Sequence, residues 1–137
     1  LRIGREGAYA IEGLIALAAK PTGTVMILRD IADSRAVPQN FLAKIFHKLV
    51  RGGVVVSSRG AVRGYSLARS PNEIKVKDIL LATEGVDLFE RCILWSDRCA
   101  GIHPCPLHDQ WNRVREHIVQ EMERTTLADL VDRKASE

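Results

Sequence analysis

No run of about 18 apolar residues occurs in the sequence, so nothing in it reads as membrane-spanning. The first residues lack a basic segment followed by an apolar one, so a cytoplasmic, reducing location is expected. There is no internal repeat and no low-complexity tract. No nucleophile–base pair and no glycine-rich phosphate loop is visible, so the sequence does not read as an enzyme. Cysteine is sparse as well: three in 137 residues, an odd number that a disulfide framework would not leave. Acidic residues are scarce in one half only. Residues 1–69 hold 4 Asp/Glu against 11 Lys/Arg, a net of +7, whereas residues 70–137 hold 13 against 9, a net of −4. A basic half joined to an acidic half points to a polyanionic partner for the first half, with chance asymmetry of a solvated surface as the competing reading.

What is present fits one domain. The chain can bury a true core, and its 46% hydrophobic and 27% charged residues are those of a globular protein. Residues 6–19 are rich in Ala, Leu and Ile on most of a helical circumference, which predicts a helix buried on several sides and ended by Lys20-Pro21-Thr22-Gly23. From Ile27 to Arg51, two short helices flank the turn Ala36-Val37-Pro38. In the second, Phe41, Leu42, Ile45, Phe46 and Leu49 form an inner stripe. Its opposite face carries Gln39, Asn40, Ala43, Lys44, His47, Lys48 and Arg51. A tight turn between two helices, the second amide-rich and basic outside, is the pattern of a DNA-binding helix-turn-helix.

Two β-rich runs follow, Val54–Ser58 and Gly64–Ala68, around an RGAVRG tip. A basic hairpin directly after a helix-turn-helix reads as a wing. Arg59 and Arg63 are its candidate contacts to the sugar-phosphate backbone or the minor groove. With Gln39, Asn40, Ala43, Lys44 and Lys48 they make up the candidate DNA-binding set.

All three cysteines, Cys92, Cys99 and Cys105, fall within 14 residues, and the spacing to His108 is C-x6-C-x5-C-x2-H. Gly101, Pro104 and Pro106 interrupt regular structure, so the thiols are expected on a loop that can gather soft ligands around one centre. Thiolates with an imidazole suit an iron–sulfur cluster, zinc or cuprous ion. Zinc remains a competitor, although no two cysteines have the C-x2-4-C spacing of a zinc knuckle. A redox disulfide with one free thiol is the bland alternative. Beyond the loop, Trp111, Val114, Ile118 and Met122 repeat along a narrow helical stripe, either a two-fold dimer contact or packing within the monomer. Thr126 and Asp129 have the spacing of a capping box that opens a last short helix.

Taken together, this order of elements resembles the IscR/NsrR-type iron–sulfur transcriptional regulators, the Rrf-two family. The resemblance rests on LRIGREGAYAIEGLIALA, QNFLAKIFHKLVRGGVVVSSRGAVRGYSLA, CPLHDQW and TTLADLV, and it covers essentially the whole chain. It implies a homodimeric protein that binds a double-stranded DNA operator, most simply as a repressor, and carries an iron–sulfur cluster. By that resemblance Cys92, Cys99 and Cys105 are the cluster thiolates, and His108 matches the histidine that completes a 2Fe–2S site in the IscR branch. The NsrR branch uses an aspartate early in the first helix for a 4Fe–4S cluster. Ala8 stands there in this chain and cannot coordinate, so 2Fe–2S is favoured and 4Fe–4S is the alternative. Two features depart from the pattern. The first cysteine gap is one residue longer than in familiar members, and Ala43 replaces an acidic recognition-helix residue, so operator preference does not transfer.

The expected architecture is mainly α with a small β-hairpin wing. Residues 1–70 form a winged helix-turn-helix, 71–91 a connecting scaffold helix, 92–108 the cluster loop, and 109–137 a long dimerisation helix followed by a short one, all within one structural domain. Two rival functions stay open: a thiol-sensing DNA-binding regulator without a cluster, and a small metal or redox protein. The second leaves the basic helix-turn-helix without a purpose.

Overall fold

A computed structural model describes residues 3–61, 63–91 and 106–135 of the chain. Helix α1 (Arg5–Ala18) is the hub. Its Ala10, Leu14, Ile15, Ala16 and Leu17 are buried, as expected of a helix apolar around most of its surface, and α2 (Leu28–Arg35), α3 (Gln39–Arg51), α4 (Val76–Glu84) and α6 (Leu127–Ala135) all pack on it. Gly13 makes the α1–α3 crossing close: a Cβ there would lie 2.9 Å from the Phe46 ring. The start of α1 has no side-chain cap of its own. Glu84, the last residue of α4, supplies one from across the fold by accepting a hydrogen bond from the Gly7 N–H at 3.1 Å. A carboxylate at that end also meets the positive pole of the helix.

The hairpin consists of β1 (Val55–Arg59) and β2 (Arg63–Leu67), antiparallel, with Val55 opposite Leu67 and Arg59 opposite Arg63. Both strands lie one residue nearer the tip than the sequence pattern predicts. Met26, just ahead of α2, adds an isolated bridge on β2, with both Met26 N–H to Tyr65 O and Tyr65 N–H to Met26 O at 2.9 Å. Gly64 permits this approach, because a Cβ at that position would overlap the Met26 carbonyl.

The remaining elements form a second, smaller apolar cluster of Val76, Leu80, Leu88 and Phe89, covered by Ile118, Val119 and Met122 of α5 (His108–Arg124). Helix α6 returns to the main core through Leu127, which is fully buried. The capping box is present: Thr126 N–H donates to Asp129 Oδ2 at 2.9 Å, and Asp129 N–H donates to Thr126 Oγ1 at 3.3 Å. The architecture is therefore mainly helical with a two-stranded wing and a long helix near the C-terminus, as the sequence implies. Among the described residues, no helix is long and apolar enough to cross a membrane.

Candidate nucleic-acid interface and metal-ligand loop

The inner stripe of α3 is Leu42, Ile45, Phe46 and Leu49, all buried. Phe41 departs from the expected stripe. It is 45% exposed and lies beside the flank of α1, its ring centroid 6.3 Å from that of Tyr9. The outer face presents Gln39, Asn40, Ala43, Lys44 and His47 to solvent, with Arg51 at the end. Lys48 differs from its neighbours. It is half-buried, and its amine donates to Glu6 at 2.8 Å and to the Thr83 carbonyl at 3.5 Å, which ties α3 to α1 and α4.

Of the four acids in residues 1–69, Glu6 is engaged by Lys48 and Glu12 by Arg35, leaving Asp30 and Asp33, both exposed on α2. Among the described residues, Lys44, Arg51, Arg59 and Arg63 have no ion-pair partner. Along the hairpin, residues on one face alternate by two. Val55 and Leu67 are buried, Tyr65 is half-buried against Phe46 of α3 (centroids 5.0 Å, edge to face), and Arg59 with Arg63 continues that same face out into solvent. His47 lies on the side of α3 next to this face. The sequence places it on the outward face of the helix, and the folded position of the wing adds that it faces the hairpin.

Cys92, Cys99 and Cys105 lie outside the described residues. What is described is the pair of ends that hold the segment between them. Before it, Leu88 and Phe89 are buried, and Arg91 donates to the Glu84 carbonyl at 3.1 Å and to Asp87 at 3.0 Å. The hydrogen bond from Arg91 holds the Asp87 carboxyl below its ordinary value. After it, His108 opens α5, half-buried, with its Nε2 3.1 Å from the Asn112 amide nitrogen. Trp111 closes the two ends together: its buried indole N–H donates to the Arg91 carbonyl at 3.1 Å. The residue just before Cys92 is thus bonded to a side chain that sits one helical turn after His108.

Residues 3–133 match the Rrf2 family, described as an iron-dependent transcriptional regulator. The chain belongs to that family. It stands near the IscR branch of Rrf2 proteins: the HTH-type regulator IscR of Pectobacterium carotovorum is 30% identical over 135 residues, covering 98% of this chain and 81% of that protein. Among solved structures, the IscR of T. potens has a TM-score of 0.77 at 28% identity and covers 100% of this chain and 89% of its own. CymR of B. subtilis, titled the global cysteine regulator, has a TM-score of 0.80 at 28% identity, with 96% and 97% coverage. As an Rrf2 protein the chain is a transcriptional regulator, a class distinct from enzymes.

The Rrf2 frame also locates the remaining expected residues. Ala8 is exposed on the first turns of α1, and Ala43 is exposed in the middle of the outer face of α3. The stripe expected at a dimer contact is divided. Trp111 is buried within its own chain, and Ile118 and Met122 pack on the second apolar cluster. Val114 is 52% exposed, pointing away from that cluster.

Proposed function

We propose that this regulator binds duplex operator DNA as a homodimer through Gln39, Asn40, Ala43 and Lys44 of α3 and Arg59 and Arg63 of the wing, under the control of an iron–sulfur cluster of the 2Fe–2S type. The observation that supports the control is the Trp111–Arg91 hydrogen bond, which ties the residue before Cys92 to the first turn of the helix that His108 opens. Three thiols and one imidazole are a soft donor set that fits iron and sulfide. Cys92, Cys99 and Cys105 supply the thiolates and His108 an imidazole nitrogen, while Trp111 and Arg91 fix the frame on which they sit. Bound there, a cluster supplies a charge and a redox state that differ between the loaded and empty protein. Helix α4 links that frame to α3, since Glu84 O accepts from Arg91 and Thr83 O accepts from Lys48.

The test is anaerobic purification followed by visible absorbance, iron and acid-labile sulfide assays, and footprinting of the loaded and empty forms on genomic fragments. Iron and sulfide in equal amounts are expected, with different footprints for the two forms. His108→Ala should load poorly or change its spectrum, whereas substituting the rival histidine of the same segment, His103→Ala, should leave the protein like wild type. Identical footprints for both forms would reject cluster control. A thiol-sensing reading is favoured by the likeness to CymR. It requires a colourless anaerobic protein whose DNA binding responds to a thiol oxidant.

A further inference from the structure

Between α3 and the wing lies an open notch of about 640 Å³. His47 and Val50 of α3 lie on one side and Ser57, Arg59, Arg63 and Tyr65 of the wing on the other, Ile27 and Leu28 add apolar lining, and no carboxylate lines it. Every polar side chain facing it can donate a hydrogen bond, and two carry a fixed positive charge. The two arginines sit directly opposite each other in the hairpin, a cross-strand arrangement that is destabilising for like charges and that no acid relieves among the described residues. A cationic pair held without a counter-charge beside a cavity whose polar side chains are donors and whose lining has no carboxylate has the chemistry of an anion site.

The shape says which anion. A helix seated in the major groove and a wing reaching the neighbouring minor groove straddle the one sugar-phosphate strand that separates the two grooves. The notch is the space between those two elements. We propose that it receives one backbone phosphate of that strand, held jointly by the His47 imidazole and the Arg63 guanidinium, with Arg59 beside it and Ser57, on the same face of β1, at its edge. This rests on the DNA-binding reading above and adds to it a specific contact. His47 serves as a positioning contact that sets the register of α3 against the wing without reading a base.

The probe is a duplex recovered by the wild-type chain from fragmented genomic DNA, remade with a neutral methylphosphonate at single backbone positions. For wild type, one position per half-site should cost about tenfold or more in affinity, the scale of a hydrogen bond to a charged group. His47→Ala and Arg63→Gln should each weaken binding to the unmodified duplex. In both variants the methylphosphonate at that same position should cost little further, and Arg63→Gln should lower the salt slope by about 0.9. His47→Gln, which keeps a donor, should recover most of the loss. Arg63→Gln should melt no lower than wild type, since it removes a like-charge pair, so its loss cannot be ascribed to unfolding. An unchanged methylphosphonate penalty in both variants overturns the notch while leaving DNA binding intact. So does a His47→Ala protein that alters preference at one base pair with no change in the phosphate profile. A wild-type chain that selects no duplex at all overturns the DNA-binding reading and the notch together.

Discussion

Ala36 turns the chain between α2 and α3 with φ 54° and ψ 43°, the left-handed region. A side chain there costs roughly 1–2 kcal/mol, and glycine would avoid that at a smaller cost in unfolded-chain entropy. Ala36→Gly is therefore expected to hold or slightly raise the urea midpoint, while Ala36→Val, β-branched, should lower stability by about 1–3 kcal/mol. Gly64 poses the opposite constraint. Gly64→Ala would push the Met26 carbonyl off β2 and should cost about 1–3 kcal/mol by overpacking, read in the same titration. Equal midpoints for Gly64→Ala and wild type would mean that the bridge to Met26 does not hold β2 in place.

At the scale of elements, the capping box of α6 gives a prediction with a pH signature. Thr126→Ala should cost about 1 kcal/mol, because the Asp129 N–H loses its acceptor at the start of a helix whose Leu127 is fully buried. The Thr126 backbone N–H, with its hydroxyl, holds the Asp129 carboxyl below its ordinary 3.8. The folded state thus binds that proton less readily than the unfolded chain. The stabilisation is complete above pH about 3.8 and fades as pH falls through the lowered value. Asp129→Ala should remove this acid limb from the stability profile, and an unchanged limb would show that other carboxylates produce it. The box itself was legible because both partners lie within four residues. The cap on α1 was not: Glu84 lies 77 residues from Gly7, and no local pattern announces it. Likewise the bridge from Met26 uses only backbone groups, which leave no trace in residue type. The α3 stripe was legible at Leu42, Ile45, Phe46 and Leu49, where the 3.6-residue period faces α1. It failed at Phe41, which lies about a quarter turn off the centre of that stripe and so meets only its edge, while the next residue, Leu42, is fully buried.

For the whole molecule, the proposed dimer needs a surface to close it. The amphipathic stripe of α5 could be read from the sequence, but a stripe does not say what covers it. Three of its four residues are covered at least in part by their own chain, so a charge at Ile118 would act first on the fold. Ile118→Glu should lower stability by about 2 kcal/mol or more, placing a carboxylate against Val76, Leu80, Leu88 and Phe89. Val114→Glu is the cleaner probe of association. At 52% exposure it should leave the melting temperature nearly unchanged and shift the sedimenting species from dimer to monomer. A stable dimer for Val114→Glu would move the contact to another face of α5.

The tether at Met26 has a consequence for how fast this protein finds its site. A free two-stranded hairpin is marginal in water and would have to be immobilised on reaching DNA. Fixing each backbone residue costs roughly 1–2 kcal/mol, so freezing a loose five-residue strand such as β2 would consume several kcal/mol of contact energy. Here both Met26–Tyr65 hydrogen bonds and the Tyr65 ring against Phe46 meet that cost during folding. Encounter then needs no ordering step at the tethered strand of the wing. Association should be limited by diffusion and the pull of the basic face on the polyanion, and should show little of the heat-capacity change that accompanies a segment folding on its target.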